Sequence, residues 1–229
     1  MTKIKQMLQM QQQLNDATGG VGWEHGHTDK GKLIDWKRCI YLEAAELVDS
    51  YPWKHWKNID ATPDYDNIKI EIVDIWHFVM SEALRNYKIG KKGGVEALYK
   101  AILTLPNYKQ FVKDVKPLND DIYAQIALVE SFIKTLFVSD DILKLIDAFF
   151  IMSYELQVNQ DILYRLYIGK NILNQFRQDH GYKEGKYVKE WNGVEDNVVM
   201  QDVLEKQPDV TPKELYKALE RVYAEVEDA

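Results

Sequence analysis

The chain carries a single cysteine, Cys39, among 229 residues. No intramolecular disulfide is open to it, so stability has to come from a packed core. Cys39 sits in the apolar run Cys39-Ile40-Tyr41-Leu42 and reads as a small core residue in preference to a reactive thiol. Such cysteine poverty fits a reducing, cytoplasmic setting. Glycine and proline are also scarce, 12 and 6 respectively, which favours long elements with few breaks. No segment reaches the run of about eighteen apolar residues that a membrane span requires. Glutamines follow Lys3 and Lys5 where a secretory leader would need its apolar stretch. Nor is there a basic stripe: the net charge is −7, which argues against a general nucleic-acid binder.

What is abundant is helical periodicity. Apolar residues make up 46% of the chain, enough for a sizeable core. Helices are predicted over residues 2–16, 34–50, 66–89, 95–103, 107–114 and 120–138. Ser139, Asp140 and Asp141 open another that runs to about 156, and Asn159 caps one to about 179. Thr211, Pro212 and Glu214 form a capping box for the last. Strand signals are nearly absent, and Asn192-Gly193 lies in a polar stretch without flanking apolar alternation. The expectation is an all-α helical bundle of eight or nine helices. It forms a single domain over 1–229, with a helical core to about 180 and a loop and helix after it.

Two places break the rule that charges avoid apolar helix faces. Glu43 and Glu46 lie in Ile40-Tyr41-Leu42-Glu43-Ala44-Ala45-Glu46-Leu47-Val48. Glu71 and Asp74 lie in Ile68-Lys69-Ile70-Glu71-Ile72-Val73-Asp74-Ile75. Each pair is spaced i, i+3 and projects from one side of its helix. Like charges there repel, and burying them alone costs several kcal/mol. A divalent cation resolves the conflict, and magnesium prefers such hard oxygen ligands. A single pair of this kind also arises in any charged helix, solvated or matched by bases. His77 continues the second line, as a contact to a sugar or phosphate or as a structural residue.

The stretch from Gly169 to Lys189 concentrates positive charge in this acidic protein. Lys170, Asn174 and Arg177 share one helical face, and Tyr182, Lys183, Lys186 and Lys189 follow. Arginine forks and lysine point charges bind phosphate oxygens, although cations also favour a helix C-terminus for its own sake. No GxxxxGK[ST] or GxGxxG pattern occurs.

Taken with Gln12 and Asn15, these acidic pairs and the run from Lys170 to Lys189 resemble the dimeric all-α dUTPases, over roughly residues 5–200. That family belongs to the all-α NTP pyrophosphatases, with MazG-like and dCTP pyrophosphatase relatives. The resemblance implies a homodimer that uses magnesium (Mg2+) to cleave dUTP to dUMP and pyrophosphate, and dUDP to dUMP. It implies Glu43, Glu46, Glu71 and Asp74 as metal ligands; one of these four carboxylates, assigned here to Glu46, orients or deprotonates the attacking water. Gln12 and Asn15 would face the uracil, Asn174 would help to hold the nucleoside, and His77 would lie by the deoxyribose. Lys170, Arg177, Tyr182, Lys183 and Lys189 would contact the phosphates. Trp53, His55 and Trp56 would lie near the pocket, with His55 at a position where some relatives carry tryptophan. A dCTP or broader pyrophosphatase of the same superfamily is the alternative enzyme. A non-catalytic helical regulatory protein is the alternative from another class, and it would be expected to have lost one of these charged residues.

Overall fold

The computed structural model describes residues 2–58 and 60–227. Among the described residues there are ten α-helices: α1 (Lys3–Gly19), α2 (Trp36–Asp49), α3 (Tyr65–Ile89), α4 (Val95–Ile102), α5 (Tyr108–Phe111), α6 (Ile122–Val138), α7 (Ile142–Glu155), α8 (Gln160–Asp179), α9 (Asp196–Lys206) and α10 (Pro212–Glu227). A two-stranded hairpin, β1 (Glu190–Trp191) and β2 (Val194–Glu195), precedes α9. The fold is all-α, as the periodicity predicts.

The hairpin departs from the sequence reading. Asn192 and Gly193 take φ of 52° and 81°, the left-handed pair of residues that turns a two-residue hairpin. Each strand is only two residues long, too short to register as apolar alternation. Helix α9 was not foreseen either. Its first turns hold Asn197, Val198 and Val199, residues of modest helix propensity that tertiary packing overrides.

Helix starts follow the capping chemistry. The side chains of Asp35, Asp64, Asp121 and Asp141 accept from backbone N–H groups in the first turns of α2, α3, α6 and α7. Asn159 accepts from the N–H groups of Asp161 and Ile162 at α8. Thr211 and Glu214 form the reciprocal capping box, with Glu214 accepting from the Thr211 N–H at 2.9 Å.

The chain packs as two compact units, Met1–Leu163 and Tyr164–Ala229. In the first, α3 is the central helix, lying against α1, α2, α4 and α7. Its sequence is apolar on nearly every side, and Ile68, Ile70, Ile72, Val73, Ile75, Trp76, Val79 and Met80 are all buried. Trp76 stacks on Phe149 of α7 at 4.8 Å, and Phe111 stacks on Phe150 at 4.4 Å. These rings join α3, α5 and α7, and aromatic pairs of this kind contribute about 0.5–1.5 kcal/mol beyond the area they bury. Buried Ala44 lets α2 lie along α3, so the two acid-bearing helices are neighbours.

The second unit is organised around Phe176 of α8. Its ring meets His180, Trp191, Tyr216 and Tyr223. Gly169 of α8 faces α9, and a Cβ there would fall 2.6 Å from the Met200 sulfur and 2.7 Å from Leu204. Only a residue without a side chain allows that approach. Cys39 is half-buried, and burial raises its thiol pKa above the ordinary value, so it is a protonated, weakly reactive group.

Candidate metal centre and substrate-binding residues

The α2–α3 pairing brings three of the four predicted acids together. One carboxylate oxygen from each of Glu43, Glu46 and Glu71 lies within 4.8 Å of the others. Glu71 is 6% exposed, Glu43 is half-buried and Glu46 is exposed. Asp74, half-buried one turn further along α3, is not in that group of three. Like charges at such distances repel by between about 1 and 4 kcal/mol per pair, depending on exposure. A graded set of hard oxygen donors on two helices, from buried to solvent-facing, suits a divalent cation that keeps part of its shell open. Asp49 continues the line on α2 but forms an ion pair with Lys54.

A buried polar network lies behind α1. Gln11 Nε2 donates to Asn15 Oδ1 at 3.0 Å and to Ser81 Oγ at 3.1 Å, while Asn15 Nδ2 donates to Ser81 Oγ at 3.0 Å. Ser81 Oγ donates to the His77 carbonyl at 2.8 Å, and His77 Nδ1 meets Gln11 Oε1 at 2.7 Å. The structure thus joins two predicted residues, Asn15 and His77, to two that sequence reasoning missed, Gln11 and Ser81. Gln12 lies outside the network, and its Nε2 donates to Asp16 at 2.9 Å. The phase of α1 explains the difference. Ile4, Met7, Leu8, Gln11 and Asn15 are the buried positions at helical spacing, so Gln11 faces in and Gln12 is turned by one residue.

Beyond α2, Trp53 and Trp56 meet edge to face at 5.7 Å, and His55 meets Trp56 at 4.8 Å. A cavity of about 420 Å³ at this loop is lined by Asp49, Tyr51, Pro52, Lys54, Lys57 and Thr62 among others, but by none of those three rings.

In the second unit Lys170 and Arg177 are both buried, at 4% and 9% exposure. Arg177 makes a two-pronged pair with Asp196: Nε donates to Oδ2 and Nη2 to Oδ1, each at 2.8 Å. Its Nη1 also reaches Asn174 Oδ1 at 3.3 Å. Lys170 Nζ donates to Asn197 Oδ1 at 2.8 Å. Tyr187 donates its hydroxyl to Asp196 Oδ2 at 2.8 Å, and burial together with that carboxylate holds the phenol pKa well above its usual value. Tyr182 and Lys183 are exposed, and Lys189 Nζ stands 5.6 Å over the Tyr182 ring. The predicted Lys170, Asn174 and Arg177 therefore share one cluster, whose anchors Asp196 and Asn197 the sequence reading passed over. In sequence these two lie in a polar stretch where no helix is predicted.

No helix among the described residues is long and apolar enough to cross a membrane. No curated protein matches the chain with significance. A family model described as dUTPase matches residues 3–182, far more than half of the chain. The match takes in α1 to α8, with both acidic pairs and the Lys170–Arg177 face, and it shows that the chain belongs to the all-α dUTPase family, enzymes that hydrolyse dUTP.

Proposed function

We propose that this dUTPase converts dUTP and water to dUMP and pyrophosphate, and dUDP and water to dUMP and phosphate, with magnesium held by Glu43, Glu46, Glu71 and Asp74. The observation that carries the reading is the cluster of three carboxylates on α2 and α3 in a chain of this family. When bound, magnesium supplies neutralisation of phosphate charge and acidifies water. Glu46, the exposed member of the cluster, is suited to orient or deprotonate the attacking water, because it can reach solvent beside its two neighbours. Asp74 completes the set from α3.

Phosphate contacts are assigned to Lys170, Arg177, Tyr182, Lys183 and Lys189 on their chemistry, and cations or hydroxyl donors there stabilise charge on the departing group. Asn15 and His77 sit in a buried network of hydrogen-bonding groups, which supports roles in holding base and sugar; Gln12 and Asn174 are assigned to the nucleoside with them. The whole chain, residues 1–229, works as one catalytic domain in this reading. It acts as a cytoplasmic homodimer, and exposed Leu42, Phe137 and Val138 on α2 and α6 offer apolar surface for the second copy. Light scattering after size exclusion checks that state.

Turnover of dUTP, dCTP, dTTP and UTP with magnesium tests the substrate. Strong preference for dUTP is expected, and equal rates for all four would sink the assignment. Glu46→Gln and Asp74→Asn are each expected to lower kcat by about 100-fold or more. Hydrolysis that persists unchanged in both would remove the proposed centre.

A further inference from the structure

We propose that Asp196 and Asn197 are positioning residues for the phosphate-binding cations Lys170 and Arg177. The inference rests on the reading of those two cations as substrate contacts and extends it beyond the family-matched segment, which ends at residue 182.

Three observations converge on the two residues. Asp196 is 1% exposed, and its two oxygens accept three hydrogen bonds, two from Arg177 and one from Tyr187. Asn197 Oδ1 accepts from Lys170 at 2.8 Å and from Arg177 Nη2 at 3.4 Å. Gly169 leaves room for Met200 and Leu204 of α9 against α8. A flexible lysine and arginine lose rotamer entropy when they grip a phosphate. Here the entropy has already been lost, because the side chains are fixed by neighbours that never touch the substrate.

The chemistry of the two anchors differs in a useful way. Asp196 pairs with Arg177 through two hydrogen bonds and so fixes the guanidinium in one orientation. These bonds occupy Arg177 Nε and Nη2, while Nη1 reaches Asn174 and Nη2 also reaches Asn197. Asn197 is neutral and orients the ammonium of Lys170 without discharging it. An aspartate in its place would add a negative charge beside Lys170.

The test uses the full chain, with kcat and KM for dUTP measured beside thermal unfolding. Asp196→Asn is expected to raise KM at least tenfold with a smaller fall in kcat, and Asp196→Glu is expected to restore most of it. In an Arg177→Ala background the Asp196→Asn change should add less than twofold, because Asp196 acts through Arg177. A fall of equal size in both backgrounds would mean a purely structural role and would overturn the proposal. Asn197→Ala, which removes no charged group, is expected to raise KM severalfold and decides the matter if Asp196→Asn fails to fold; an unchanged KM there would overturn it. Should Arg177→Ala alone leave kcat/KM unchanged, the substrate reading of Arg177 fails and this inference falls with it. A large Arg177→Ala loss beside a silent Asp196→Asn would overturn the inference alone.

Discussion

The two units handle charge in opposite ways. In the first, α2 and α3 gather carboxylates of like sign within 4.8 Å, one of them buried. In the second, α8 gathers cations, and α9 answers them with a carboxylate and an amide from the same unit. One cluster is a group of acids of a kind that can hold a cation, whereas the other is held in shape by groups already in the chain. The contrast separates acids gathered beside acids from cations matched by partners in their own unit. It also predicts that the same kind of substitution has opposite effects on stability in the two.

Removing a carboxylate should do most damage where it is matched. Asp196→Ala takes away the acidic partner of a buried pair and is expected to lower unfolding stability by about 3–5 kcal/mol in chemical denaturation. Glu46→Gln in the first cluster should leave stability in chelator unchanged or slightly raised, since it removes repulsion. A loss there as large as at Asp196 would erase the contrast.

Magnesium gives the next largest effect. At about 100 times its dissociation constant it should stabilise the wild type by about 2.7 kcal/mol, and clearly less in Glu46→Gln, read as a shift in melting temperature. A smaller effect is expected from Ser81→Ala, which deprives the Gln11 and Asn15 amides of a shared acceptor and costs about 1–3 kcal/mol.

The smallest is a pH effect at Glu82. Burial raises its pKa, against the opposing pull of Arg85 and Lys37 and with a small upward push from Asp35. A raised acid pKa means that its contribution is present below the ordinary glutamate range and is lost as pH rises through the folded value. Glu82→Gln should therefore gain stability relative to wild type between pH 4 and pH 8, and denaturation curves at both pH values check the sign.

How much of this could be read in advance depended on local pattern. Helical periodicity announced α3 itself, and the acids interrupting apolar runs picked out three carboxylates that the fold brings within 4.8 Å. Capping residues such as Asn159 and Thr211 placed helix starts within a residue or two. What escaped was set by phase and by long-range contact. Three consecutive glutamines occupy positions 11–13, and which one turns inward follows from a rotation of about 100° per residue. Asp74 carries the same spacing from Glu71 as Glu46 does from Glu43, yet it lies outside the close group of three, because proximity across two helices is not written in either one. Asp196 was invisible for a similar reason: its partner is 19 residues away.

Gly169 carries a last consequence. Replacing a helical glycine with alanine ordinarily strengthens the helix by about 1 kcal/mol. At this position the added methyl would meet the Met200 sulfur and a Leu204 methyl, so those two buried side chains would have to repack. A mutation that looks helpful by local propensity would then loosen the grip of Asp196 and Asn197 without altering a single charged residue. If Lys170 and Arg177 bind phosphate as proposed, nucleotide affinity depends on an apolar contact, and a laboratory selection for tighter or weaker binding would find a lever in the seam between these two helices.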